Sequence, residues 1–194
     1  ETLCETAPTH DYFKTIDYKM KKIGIIALIF FAGFALNAQE TNSVDTYKIA
    51  FYSKDATGVF KEMSGKVTND ETAKTDSTLG LIFDLKIKVA SINTGNGVQN
   101  KHAKSSEWFH AEKHPTIDFV SSSVYETEKG IFAKGKLSIH GKSKNVVIPI
   151  EIKSTETKTI YKAQFSVNRM DFGLGPKNKV SRNIKIIAGV SVKK

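Results

Sequence analysis

Three histidines, His102, His110 and His114, fall within thirteen residues, and the last two have the i, i+4 spacing of a metal-binding pair on one helical face. Pro115 follows immediately and no acidic residue completes an HExxH pattern, so they read as loop histidines beside a helix end and no metal is expected. Cys4 is the single cysteine, and the sequence holds no G-x-S-x-G elbow, P-loop or dinucleotide fingerprint. Gly95-Asn96-Gly97 is a turn, too short to cradle a phosphate. Carboxylates are scattered among lysines, which leaves paired acid–base work unsupported. No catalytic residue and no cofactor is expected, and the chain reads as a non-enzyme.

Charge is the next source of chemistry. Lysine and arginine outnumber aspartate and glutamate by 29 to 20, a net +9. The lysines alternate with apolar residues as solvated faces do; the other reading is a rim that attracts an anionic head. The basic stretch Lys134 to Lys144 has no aromatic platform for stacking bases, so nucleic acid is not expected as a partner. Trp108-Phe109 is a pair of large aromatics in a polar stretch, placed to cap a core or to close one end of an apolar cavity. With 40% hydrophobic residues and four prolines, the chain is neither disordered nor collagen-like.

The elements that position these residues are strands. Period-two alternation puts Leu81, Phe83, Leu85, Ile87 and Val89 on one face, and Ile131, Ala133, Gly135, Leu137 and Ile139 on another. Val146, Ile148, Ile150 and Ile152 repeat it, with Pro149 marking an edge or bulge. Tyr161, Ala163, Phe165 and Val167, then Ile184, Ile186, Ala188, Val190 and Val192, close the chain. Weaker strands are expected at 46–53, 59–68 and 116–125, giving about eight in all. Turns are expected at Asn69-Asp70, Glu128-Lys129-Gly130, Gly141-Lys142-Ser143 and Ser154 to Lys158. A short helix is expected near 105–111, stopped by Pro115. The result is one all-β antiparallel domain, a sandwich or a closed barrel.

Before this domain, Met20-Lys21-Lys22 leads into an uncharged apolar run from Ile23 to Leu36, with Ala38 ahead of Gln39. That is the pattern of a secretory signal peptide at 20–38, cleaved near Ala38, in a run short of the ~20 residues a spanning helix needs. Residues 1–19 read as an upstream, non-native segment, and 39–194 as the exported domain, periplasmic or secreted. Removing 1–38 takes four charges of each sign, so the +9 belongs to the domain.

The stretch SINTGNGVQNKHAKSSEWFHAEKHPTIDFVSS at 91–122, GKLSIHGKSKNVVIPIEI at 135–152 and NRMDFGLG at 168–175 together resemble the YceI family of exported lipid-binding proteins. Ser91, Thr94, His102, Phe109, Pro115, Phe119, Gly141, Arg169, Asp171, Phe172 and Gly173 match the family pattern. Ala103, Trp108, His110, His114 and Tyr52-Ser53-Lys54-Asp55 depart from it, near the helix and the pore ends. The resemblance implies a single extended lipocalin-like barrel whose apolar pore holds an isoprenoid-like lipid, such as a polyprenyl phosphate or quinone. The residues expected to hold it are Leu81, Phe83, Leu85, Ile87, Val89, Trp108, Phe109, Phe119, Phe165, Arg169 and Phe172. Arg169 has two readings, a head-group contact or an ion pair with Asp171. Transient membrane contact and a homodimer are compatible with this picture. The alternative is a filled barrel, structural or stress-related, that binds anionic polymers through its basic surface.

Overall fold

The computed structural model describes residues 39–194; the expected signal peptide and the segment before it lie outside the described residues. Eight long antiparallel strands form the wall: β1 (Glu40–Tyr52), β3 (Met63–Lys74), β4 (Leu79–Lys88), β6 (Thr116–Thr127), β7 (Gly130–Ile139), β8 (Lys142–Ser154), β9 (Lys158–Asn168) and β10 (Asn183–Lys193). They pair in the order β1-β3-β4-β6-β7-β8-β9-β10, and β10 returns to β1 along Val44–Tyr52, closing a barrel. Two short strands, β2 (Thr57–Phe60) and β5 (Ile92–Asn93), lengthen one end by pairing with the last four residues of β1 and with each other. The stretch expected as one strand at 59–68 is thus two, broken at Lys61-Glu62.

Inward faces follow the alternation. Phe83, Ala133, Leu137, Ile148, Tyr161 and Val190 are buried, whereas Lys86, Lys88, Lys134 and Lys136 point out. On β6 the parity changes midway: a bulge between Ser121 and Ser123 turns the inward set from Ile117 and Phe119 to Val124. There the β4–β6 ladder stops, and the Phe83 N–H donates to the buried Ser121 hydroxyl at 2.8 Å instead. Pro149 sits where β8 has no β9 neighbour, since their ladder covers only Ile150–Ser154 against Thr159–Ala163. That is the local edge its imide ring requires.

Three expectations about connections need correcting. The β7–β8 hairpin turns at His140-Gly141 rather than Gly141-Lys142-Ser143, because Lys142 and Ser143 already pair with Ile139 and Ser138. The hairpin joining β3 to β4 turns at Thr75–Thr78, not at Asn69-Asp70, because β3 bulges past those residues and continues to Lys74. The one α-helix among the described residues, α1, spans Gly97–Lys104 rather than 105–111. Asn96 caps it by accepting from the Val98 and Gln99 N–H groups, and residues 105–114 follow as irregular turns. His110, at φ 49°, cannot continue an α-helix.

Gly135 on β7 lies beneath the β6 bulge, where a Cβ would come within 2.6 Å of the Ser121 Cα and 3.0 Å of the Phe119 ring. Gly135→Ala should therefore lower the urea midpoint, by about 1–3 kcal/mol of stability, with an unchanged m-value. Unfolding followed by circular dichroism checks it.

Candidate functional site

The barrel is not filled. A chamber of about 380 Å³ occupies the end capped by α1 and the β1–β2 turn, and a second of about 110 Å³ lies deeper along the axis. Both are walled by Ile49, Ile87, Ile117, Leu137, Phe165 and Ile186, which form the waist between them. The deeper chamber continues along Phe83, Leu85, Phe119, Ile148 and Ile150 to Tyr161, whose ring meets Phe83 edge-on at 5.1 Å. Burial pushes the Tyr161 phenol above its usual value. Cavities so apolar exclude water readily and accept apolar ligands.

The larger chamber is roofed by parts distant in sequence: Ser53, Asp55 and Ala56 from the β1–β2 turn, Gln99, His102 and Ala103 from α1, Trp108-Phe109, and Leu174, Lys179 and Val180 from the β9–β10 connection. Arg169 holds that connection in place. It is 2% exposed, and its Nε donates to the Ser181 carbonyl at 3.1 Å. Its other nitrogens donate to the carbonyls of Leu174, Gly175, Pro176 and Val180. Five main-chain oxygens thus surround the guanidinium, and Nη1 also lies 3.2 Å from the Met170 sulfur.

Ser181 passes the tie onward. Its N–H and its hydroxyl both donate to the Asp55 carboxylate at 2.7 Å, fastening the connection to the β1–β2 turn. The Ser181 N–H first, then its hydroxyl, holds the Asp55 carboxyl below its usual value. Trp108 lies with its ring centroid 5.6 Å from the Arg169 guanidinium carbon and packs over Gly175, where a Cβ would approach to 2.6 Å. At the outer rim, His102 Nε2 lies 2.8 Å from Glu107 and 3.2 Å from the Trp108 indole N–H, while Glu107 also meets Lys179 at 3.4 Å. One nitrogen cannot donate to the carboxylate and accept from the indole at once, so the proton on His102 selects its partner.

Comparison with known proteins agrees with this geometry. The model of the YceI-like domain matches residues 34–192. The chain belongs to the YceI family. A UPF0312 protein of Photorhabdus laumondii is 28% identical over 146 residues, covering 70% of this chain and 74% of its own. BcnA of Burkholderia cenocepacia has a similar structure, with a TM-score of 0.69 and 25% identity over 77% of this chain and 99% of its own. A polyisoprenoid binding domain from Saccharophagus degradans shares the fold, with a TM-score of 0.60 and 14% identity over 80% and 99% of the two chains.

Within this YceI barrel, eight of the eleven residues expected to hold a ligand line the chambers: Phe83, Leu85, Ile87, Trp108, Phe109, Phe119, Phe165 and Arg169. Leu81, Val89 and Phe172 do not. Val89 and Phe172 are core residues, and Leu81 packs beside Val67, Phe83 and their cluster. The expected Arg169–Asp171 ion pair is absent among the described residues, because the guanidinium turns to the 174–181 carbonyls. Ile49, Phe51 and Phe60 were missed: they sit on strands whose alternation is weak. Leu174 and Val180 carry no periodic signal, since the connection that brings them to the chamber is irregular.

Arg169→Lys, which keeps the charge but offers three donors in place of a planar fork, should destabilise the protein by roughly 3 kcal/mol and release the 174–181 amides. Urea unfolding and hydrogen exchange measure the two effects. The Asp55 contribution is fully present above the unfolded carboxylate value near 3.8 and is lost as pH falls through the lower folded value. Asp55→Ala should therefore lower the melting temperature relative to the parent at pH 7, and the difference between the two should narrow as pH falls below the unfolded carboxylate value.

Proposed function

We propose that this YceI protein is a non-enzymatic carrier of a long-chain amphiphilic lipid, an isoprenoid such as a polyprenyl phosphate or quinone. The observation that carries the reading is the pair of apolar chambers joined by a common waist along the barrel axis. Each buried CH₂ stabilises by ~0.8 kcal/mol, so ten carbons contribute roughly 8 kcal/mol before ordering costs. A tail needs little more than this dry passage. The description of the Saccharophagus relative as polyisoprenoid binding supports the same ligand class.

Arg169 is not the head-group contact in this reading, because its donors are spent on the main chain. The head stays at the rim, near Ser53, Thr94, Gln99 and Lys179. Loading from a membrane would use the α1 end, where Lys101 and Lys104 flank Val98, which is 80% exposed. The apolar run at 23–36 supports export to a compartment facing such a membrane.

The test is mass spectrometry of an organic extract of the protein purified without detergent, followed by titration with a prenyl phosphate and a prenyl quinone. A stoichiometric isoprenoid, or uptake of either probe, is the expected result. Ile186→Trp, which fills the waist, should weaken uptake at least tenfold while the fold stays intact by circular dichroism. An empty extract with no uptake overturns the reading. Binding only of anionic polymers, weakening steeply with salt, would place the activity on the lysine-rich surface instead.

A further inference from the structure

The histidine pair that the sequence left without a third ligand acquires one on folding. The β7–β8 hairpin turns on two residues, His140 and Gly141, between Ile139 and Lys142. Both have positive φ, 52° and 72°, as a type I′ turn requires. The turn delivers His140 to the segment after α1, where its ring meets His114 at 5.0 Å between centroids, and His114 meets His110 at 5.9 Å. One ring nitrogen from each of the three lies within 4.8 Å of those of the other two, and all three side chains are half-buried.

The surroundings are those of a ligand set. His110 and His140 are the only non-glycine residues with positive φ among the described residues, so the backbone bears its unusual conformations at two of the three imidazoles. Gly141 leaves room for the His114 ring, which a Cβ would approach to 2.6 Å. The Nδ1 of His140 lies 3.4 Å from the Phe172 carbonyl; donation there leaves Nε2 free to bind, the usual arrangement around metal-bound imidazole.

We propose that His110, His114 and His140 form a binding site for a divalent transition-metal ion of the zinc–copper class, on the outside of the barrel and separate from the lipid chambers. Three neutral imidazoles without a thiolate suit zinc and copper, and leave a further coordination position to water or an incoming ligand. At metal–nitrogen distances of ~2.1 Å in a tetrahedral shell the nitrogens stand about 3.4 Å apart, so side-chain rotations that draw the rings together by little more than an ångström close the site. A bound ion would staple the 105–114 segment, and with it Trp108-Phe109, to the β7–β8 hairpin.

The test is calorimetric titration of the untagged full chain with zinc and with copper, in competition with a chelator of known affinity. The expected result is one ion per chain and a higher melting temperature on loading. Asparagine tolerates positive φ, so the double variant His110→Asn/His140→Asn keeps the backbone while removing two ligands; it should bind at least a hundredfold more weakly. His114→Ala should lose at least tenfold, and His102→Ala should bind as the parent does. Undiminished binding in the double variant, loss on changing His102, or no binding of either ion below millimolar concentration overturns the proposal.

Discussion

Closure of β10 onto β1 is the constraint on which the rest depends. A single sheet of this length would leave two edges and one exposed apolar face, and neither is stable in water. By pairing Val44–Tyr52 with Lys185–Val192, the chain removes both edges and turns one face of every strand inward. Eight staves enclose a space close to what side chains alone can fill, so the sizes of the inward residues settle whether a cavity remains. Here β1 divides its other edge between β3 at its start and β2 at its end. The β2–β5 pair extends the wall beyond the main staves, and the larger chamber, bounded by Phe51, Phe60 and Ile92, lies at that end.

An elongated end needs a roof, and the roof hangs on a buried cation. Among the described residues Arg169 has no carboxylate within ion-pair distance; five carbonyl dipoles compensate its charge. That arrangement suits a guanidinium, whose weakly hydrated planar fork is easier to desolvate than an ammonium. It also explains how the irregular stretch 174–181, beyond the 3-10 turn Arg169–Phe172, can be ordered: its carbonyls converge on one centre. Asp55 enters through Ser181, so its negative charge acts on this centre across one residue rather than by direct contact.

The barrel was legible because its physics is local. Alternation at Leu81–Val89, Ile131–Ile139 and Tyr161–Val167 encodes which side chains face inward, whereas closure rather than a sandwich was implied only by the family resemblance. The site was half legible for the same reason. Phe83, Ile87 and Phe165 lie on strongly alternating strands, whereas Leu174 and Val180 reach the chamber only because Arg169 draws their loop inward. Val89 misled because alternation continued to it while the backbone had already entered a 3-10 turn at Val89–Ser91, which directs it into the core. The helix was misplaced by a similar competition. Residues 105–111 look more apolar, but Asn96 offers the cap, and a helix begins where its orphan N–H groups are satisfied.

The distribution of polar atoms around the chambers constrains how a ligand can be told from its neighbours. The waist and the deeper chamber are apolar on nearly every side, and the buried Arg169 has its donors turned to the main chain. Discrimination inside can therefore rest only on length and shape, at ~0.8 kcal/mol for each methylene that finds a dry place. That gain must stop where the deeper chamber ends against Phe83 and Tyr161, because a longer tail meets packed aromatics and has to fold back or emerge. Discrimination among head groups falls to the rim, where His102, Glu107 and Lys179 are exposed and each contact competes with water. In the carrier reading, a barrel built this way would hold its ligand by the tail and select it chiefly by tail length.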